Sequence, residues 1–359
     1  MNKLNQSLQI RLIIIIFLFA LNGMGQNRFS DALLRKTTIA RPFLAEMHSS
    51  LTKIECGFNK SYSEFDLLGE KSRFDRPMVE LHIGTEIPLF FYKKSAETEN
   101  RDWSFGMRLP ISIHVLEDMW GPETAPVINT DYRFGSPRLF AKREFGKGGL
   151  IKNLVVSWLP IYHECTHLGD EIVMYRMNQG FPLKRINVSY EFTESQIILN
   201  DPGEIEGNNH SFKFGWLYRV SNRGQGWFSA RPGIEIDKNL ILTNSQFRSE
   251  YFFAWEWKRS SGFLASPRCQ PVISFEGRWR PRFAYPIQSQ LGSVTSVKEV
   301  KEQMIFTSNV YVGYRFFPKE NRSEAIGLFF HGYSGINPFG QLRNYPRYPF
   351  IGLALTFEP

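Results

Sequence analysis

His163, Glu164 and His167 form an HExxH string, and the chemistry that string names is zinc-assisted hydrolysis. On a helix the two histidines, four residues apart, share a face and ligate one ion, with the glutamate as general base. The same stretch offers a second chemistry through His163-x-Cys165. Alternate residues of a strand share a face, so a histidine there can take the proton of a nucleophilic thiol two residues on. The two chemistries need different backbones, and the flanking residues decide between them.

Val155, Val156, Trp158, Ile161 and Tyr162 are β-branched or aromatic, Pro160 lies just upstream, and Gly169 follows closely. This composition favours a strand. A strand places His163, Cys165 and His167 on one face and Tyr162, Glu164 and Thr166 on the other. Glu164 is then directed away from the histidines, which stand about 13 Å apart and cannot chelate one ion. With Ser157 in the same register, the histidine and cysteine face is expected to look into a polar lumen, and Trp158 and Tyr162 outward. Asp170 and Glu171 follow at the strand's end, where pairing with Arg185 or Arg176 would fix register. The expected lumen network is therefore His163, His167, Asp170, Glu171 and Arg185.

The elements that must position these residues are read from the whole chain. Its 359 residues hold 32 Phe, 14 Tyr and 8 Trp, yet the mean hydropathy is −0.28. That combination excludes a bundle of apolar transmembrane helices and fits a sheet whose two faces meet different surroundings. The net charge of +8 becomes +6 (8 − 2) once Lys3 and Arg11 are removed with a leader. The charges are scattered, without the concentrated basic stripe that nucleic acid requires. Three cysteines, Cys56, Cys165 and Cys269, are not spaced as a metal knuckle; one disulfide is permitted but not implied. At the N-terminus Lys3 and Arg11 precede an apolar core from Leu12 to Leu21, followed by Gly23, Met24 and Gly25. Residues 1–25 thus read as a secretory signal peptide, with no cysteine at the cleavage site to carry a lipid anchor.

Residues 26–76 show no sustained period and are expected to form a plug or periplasmic cap. From Pro77 onward a two-residue period sets in. Val79, Leu81, Ile83, Thr85 and Ile87 oppose Glu80, His82, Gly84 and Glu86; Trp103, Phe105, Met107, Leu109, Ile111 and Ile113 oppose Ser104, Gly106, Arg108, Ser112 and His114. The pattern returns at Ile186–Phe192, Phe212–Val220, Tyr251–Trp257, Val310–Phe316 and Ile351–Phe357. Many segments are about ten residues long, the length that crosses a bilayer at a tilt, and rings at their margins suit aromatic girdles. A spanning sheet must satisfy its own backbone and so must close. The fold expected is all-β: a closed antiparallel transmembrane barrel of roughly twelve strands over residues 77–359.

Three runs carry a family resemblance: Val127 to Gly135, His163 to Glu171 and Arg185 to Glu191. They resemble a bacterial family of uncharacterised, predicted outer-membrane β-barrel proteins, a domain of unknown function. Its central strand is similar to His-x-Ser-Ser-His-Leu-Gly-Asp-Glu. The stretch from Gly332 to Gln341, followed by Ile351, Gly352 and Leu353, is similar to its closing hairpin. The resemblance covers most of the chain after the leader and implies fold and location, with no established activity. Cys165 and Thr166 stand where that pattern has two serines, and Glu164 where glutamine is usual, so HExxH is peculiar to this chain. A partial resemblance links His163-x-Cys165 to outer-membrane phospholipases, which carry His-x-Ser on a barrel strand. Here Thr166 and His167 replace the Asn-Gly that follows in that pattern.

The role expected from these readings is a structural barrel, passive channel or ligand-binding barrel of the cell outer membrane, more readily than an enzyme. The alternatives are an outer-membrane lipid hydrolase using His163 and Cys165, with His167 as a further candidate, and a secreted zinc hydrolase using HExxH. The expected partners are outer-membrane lipids and the barrel assembly machinery of a Gram-negative bacterium. No cofactor, metal or nucleic acid is expected.

Overall fold

In the computed structural model, the described residues are 41–358 apart from 60–75, 95–102, 120–126, 146–148, 169–188, 204–208, 223–246, 260–264, 267, 283–284, 292–293, 301, 319–323 and 341–347. The expected signal peptide lies outside them. Fifteen strands are formed among the described residues, in chain order: β1 (Thr52–Asn59), β2 (Arg76–Lys94), β3 (Trp103–Asp118), β4 (Val127–Gly135), β5 (Arg138–Glu144), β6 (Asn153–Leu168), β7 (Ser189–Leu199), β8 (Asn209–Asn222), β9 (Ser249–Lys258), β10 (Cys269–Arg282), β11 (Tyr285–Leu291), β12 (Val294–Val300), β13 (Gln303–Phe316), β14 (Ala325–Ser334) and β15 (Phe350–Glu358).

All but β11 and β12 belong to one antiparallel sheet of 13 strands. β4 and β5 follow one another along the same gap between β3 and β6, so they act as one stave, and 13 − 1 gives twelve. The first stave pairs with the last, Thr52 opposite Phe357 and Asn59 opposite Phe350, which closes the barrel. β11 and β12 form a separate hairpin between β10 and β13. No helix among the described residues is long and apolar enough to cross a membrane.

The outer face is apolar along its middle and ringed at both ends. Near the end where β1 begins and β15 ends, the terminal end of the described chain, stand Trp103, Phe105, Trp255, Trp257, Tyr314 and Phe316; near the other end stand Tyr132, Phe134, Trp216, Tyr218, Tyr251, Trp279 and Phe306. Neighbouring rings pair, with centroids 6.0 Å apart for Trp103 and Phe105 and 5.0 Å for Trp279 and Phe306. Rings thus gather toward both strand margins, the arrangement expected of two aromatic girdles.

The lumen is filled from both ends. Residues 41–50 enter from the terminal end and turn through hydrogen bonds from the Glu46 amide to the Phe43 carbonyl and from the Ser49 amide to that of Glu46. The Leu44 amide donates to Glu256 (3.0 Å), the Ala45 amide to Ser274 (3.0 Å), and Asn309 donates to the Ala45 carbonyl (2.8 Å). Ser50 lies against Gly84 so closely that a Cβ there would stand 2.6 Å from the Ser50 carbonyl carbon. From the other end Ile336, Asn337 and Phe339 are buried, and the Gly340 amide donates to Asp131 (2.9 Å). The described lumen is therefore occupied by a core that mixes polar contacts with apolar clusters around Phe43 and Leu44.

The expected boundary at residue 77 moves. β1 lies inside the segment expected to stand apart as a plug, and only residues 41–50 of that segment are described inside the lumen. The apolar side of β1 is just Ile54, Cys56 and Phe58, opposite Lys53, Glu55, Gly57 and Asn59. So short an alternation does not stand out from its surroundings.

Candidate functional site

The chemistry-bearing stretch lies on β6, where one irregularity decides every side chain. Asn153, Val155, Ser157 and Leu159 face the lumen; then the pairing with β7 shifts between Leu159 and Tyr162. Pro160 has no amide to donate to the ladder, and Ile161 faces outward beside it. The Ile161 amide is instead held by the Ser136 hydroxyl (3.0 Å) at the break between β4 and β5. An extra residue in one strand reverses the faces beyond it.

Tyr162, Glu164 and Thr166 are consequently in the lumen, and His163, Cys165 and His167 are on the outer face, the reverse of the expected placement. Glu164 is 1 % exposed and accepts from Arg133 Nε at 3.1 Å. His163 Nδ1 stands 3.6 Å from Glu191 Oε1 on β7, its direct cross-strand partner. The HExxH string is split by the barrel wall, glutamate inside and histidines outside, so the zinc-hydrolase reading fails. His163 and His167 do not belong to the lumen network. Asp170, Glu171 and Arg185 lie outside the described residues.

The outward group has a defined setting. Phe134 is the β4 partner of His163, with ring centroids 5.2 Å apart, and Tyr132 is the partner of Cys165. Both rings belong to the girdle farther from the termini. Glu191 is outward by the plain alternation of β7, in which Phe192, Glu194, Gln196 and Ile198 are buried in the lumen; the extra residue where β7 meets β8 is Val220 of β8. Sequence reasoning placed Phe192 on the apolar outer side and so missed Glu191 as the neighbour of His163. The local signal in β6 was Pro160; in β7 the buried set mixes Phe192 and Ile198 with Glu194 and Gln196, so hydropathy alone did not name its inner face.

Inside, the barrel holds ion pairs beside two apolar clusters, one around Phe43, Phe140 and Val155 and one around Leu44, Val272 and Phe329. Arg133 lies between Glu164, His114 (3.0 Å) and Asp131 (3.8 Å). Arg315 binds Glu256 (2.9 Å) and Glu358 (2.7 Å), Arg138 binds Glu194 (2.9 Å), and Arg278 binds Glu276 (2.9 Å). Lys213 reaches Glu46 of the inserted segment at 2.5 Å. Buried charges need such partners, because an isolated one would forfeit its hydration without return.

No family model matches the chain, and no curated protein matches it. Among solved structures it is similar to outer membrane phospholipase A from Escherichia coli, with 11 % identity, a TM-score of 0.43, and coverage of 86 % of this chain and 93 % of that one. It is also similar to the translocator domain of the autotransporter NalP from Neisseria meningitidis, with 9 % identity, a TM-score of 0.33, and coverage of 86 % and 85 %. The CymD monoaromatic hydrocarbon channel gives 7 % identity, a TM-score of 0.35, and coverage of 86 % and 87 %. The twelve-stave barrel rests on this chain's own strand pairing.

Proposed function

We propose that this chain is an outer-membrane barrel that hydrolyses lipid esters on its outer face, with Cys165 as nucleophile, His163 as general base and Glu191 orienting the ring. The observation that carries this reading is the His163–Glu191 pair (3.6 Å) on the outer face, with Cys165 two residues along the same strand. It supplies the third group, absent from the sequence reading, that holds a histidine in the required tautomer. Glu191 engages Nδ1, so Nε2 is the ring atom to take the thiol proton. The rings of Tyr132 and Phe134 beside the pair support a position near the membrane interface, the depth of lipid ester bonds.

In this reaction the Cys165 sulfur attacks the ester carbonyl and His163 takes the thiol proton. His163 returns that proton to the departing alcohol, leaving a thioester. Water, giving its proton to His163, then releases the fatty acid and the thiol is restored. The membrane lipids are the substrate, and insertion by the barrel assembly machinery is the expected route to the outer membrane. A passive channel is disfavoured, because the described lumen is occupied by residues 41–50 and 336–340 and by buried ion pairs.

Fatty-acid release from mixed phospholipid–detergent micelles by the purified, heat-modifiable barrel tests the reading. Cys165→Ala is expected to abolish release and His163→Ala to lower it by about 10²–10⁴-fold, with the heat shift unchanged. Release unaffected by Cys165→Ala, or none from the wild-type barrel on phospholipid or lipopolysaccharide vesicles, would overturn it.

A further inference from the structure

The lumen contains four chemistry-bearing side chains that the outer-face reaction does not use: Glu55 on β1, Glu80 and His82 on β2, and His331 on β14. Glu55 and Glu80 are direct cross-strand partners, so two carboxylates are held side by side in a buried interior. One ligand atom from each of Glu55, Glu80 and His82 lies within 4.8 Å of the others. His331 Nδ1 stands 2.8 Å from Glu55 Oε2, and His82 Nε2 stands 3.6 Å from Glu80 Oε2.

The facing atoms of His82 have no hydrogen bond, while the far sides of Glu55, Glu80 and His331 are tied down. Both ring nitrogens of His82 make no hydrogen bond although His82 is only 6 % exposed, and Glu55 Oε2 and His331 Nδ1, on a ring 4 % exposed, meet each other at 2.8 Å. By contrast, Glu55 Oε1 accepts from the Tyr311 hydroxyl (2.5 Å) and lies 3.0 Å from Lys53 Nζ. Glu80 Oε1 accepts from the Tyr348 hydroxyl (2.6 Å). The Asn309 amide donates to the Ala45 carbonyl, which turns its Oδ1 toward His331 Nε2 at 2.7 Å. Nε2 is therefore the donor nitrogen of His331, and in the neutral ring Nδ1 presents a lone pair to the Glu55 carboxylate.

Ligand atoms gathered together, with Glu55, Glu80 and His331 each held from behind by a hydrogen bond and His82 buried without one, are the arrangement of a metal site with a partial supporting shell. We propose that Glu55, Glu80, His82 and His331 bind one divalent transition-metal ion of the zinc class. Two carboxylate oxygens and two imidazole nitrogens suit zinc, manganese or iron(II) and disfavour calcium and magnesium, which take oxygen ligands. Direct opposition of two carboxylates is unfavourable in a sheet, and a dication relieves it. The ion would join β1 and β2 to β14, on the two sides of the seam where the first stave meets the last. It is a staple at the barrel's closure, taken up as the barrel forms because its ligands are buried. Spacing alone could not reveal it, since the ligands come from three strands.

The untagged mature chain, refolded in detergent with zinc or cobalt and dialysed against EDTA, tests the proposal by elemental analysis. About one ion per folded chain is expected, falling more than tenfold in His82→Ala and in the double variant Glu80→Gln/His331→Gln. Metal-loaded wild type is also expected to lose its heat-shifted band at a higher temperature than chain refolded with chelator. If a variant does not fold, iron–ascorbate oxidation of the wild type localises the ion by mass spectrometry, with oxidised His82 and His331 expected. Folded wild type with no retained metal, metal retained equally by the variants, or oxidation confined to His163 and His167 would overturn the proposal. None of these readings depends on lipid hydrolysis.

Discussion

Arg133 shows why a charged side chain sits in the middle of this barrel. It is 1 % exposed, and its guanidinium serves Glu164 on β6 and His114 on β3 at once, so it ties three neighbouring staves at one level. Breaking a buried pair by removing one partner leaves the other charge without compensation, at a cost of about 3–5 kcal/mol. Arg133→Met is therefore expected to lower the temperature at which the heat-shifted band disappears, and Arg133→Met/Glu164→Met to recover part of the loss. An unchanged transition in the single variant would show that water reaches Glu164 and that the core is less closed than its burial states. Glu164 was legible as a charged residue on a strand, but its role was not. The signal was Arg133 itself, an inward charge on β4 that demanded an opposite charge in register.

At the scale of elements, the alternation identified the staves and their outer faces. Ile83, Trp216, Tyr251, Val312 and Leu353 all face outward as the two-residue period requires. The period failed where the strand itself departs from period two. A single register carried from Ser157 to His163 crosses Pro160 and Ile161, where the ladder gains a residue and the faces exchange. Thiol labelling reads this directly. In a Cys56→Ser/Cys269→Ser background, Cys165 of the folded barrel is expected to react with a membrane-permeant maleimide. A cysteine placed by Ser157→Cys in a Cys165→Ser version is expected to react only after boiling, because Ser157 faces the lumen. Protection of Cys165 with labelling of position 157 would restore the unbroken register and remove the outer-face site. A similar economy of space governs Gly215, whose absent Cβ would stand 2.0 Å from the Phe252 ring on β9. The ring fills the gap that glycine leaves on the inner face, so the strand's weakest residue is covered by its neighbour's aromatic side chain.

For the whole molecule, the sequence indicated a barrel with a plug but not how completely the lumen is filled, because the filling comes from segments far apart in the chain. Residues 41–50 enter from one end and residues 336–340 from the other, where Arg280 of the wall donates to the Asn337 carbonyl (3.5 Å). Blocks in series must both be removed before ions pass. In planar bilayers the intact chain and each single deletion, of 41–50 or of 336–340, are expected to give no steady conductance, whereas the double deletion conducts. Acid acts on the same insert with a sign that can be worked out. Burial pushes the His48 pKa well below its usual 6.5, helped by the positive charges of Arg133, Arg278 and Arg280, while Lys213 holds Glu46 below 4.5. A released insert takes up protons more readily than a docked one at both residues, so docking is fully stable above pH ~6.5. It weakens as pH falls through that value, first through His48 and below pH ~4.5 also through Glu46. Proteolysis within 41–50 is therefore expected to accelerate between pH 7.5 and pH 5 at matched protease activity, and His48→Gln to flatten that rise. A rate independent of pH would mean that His48 is already solvated, and the insert would then be a loose cap, not a docked part of the core.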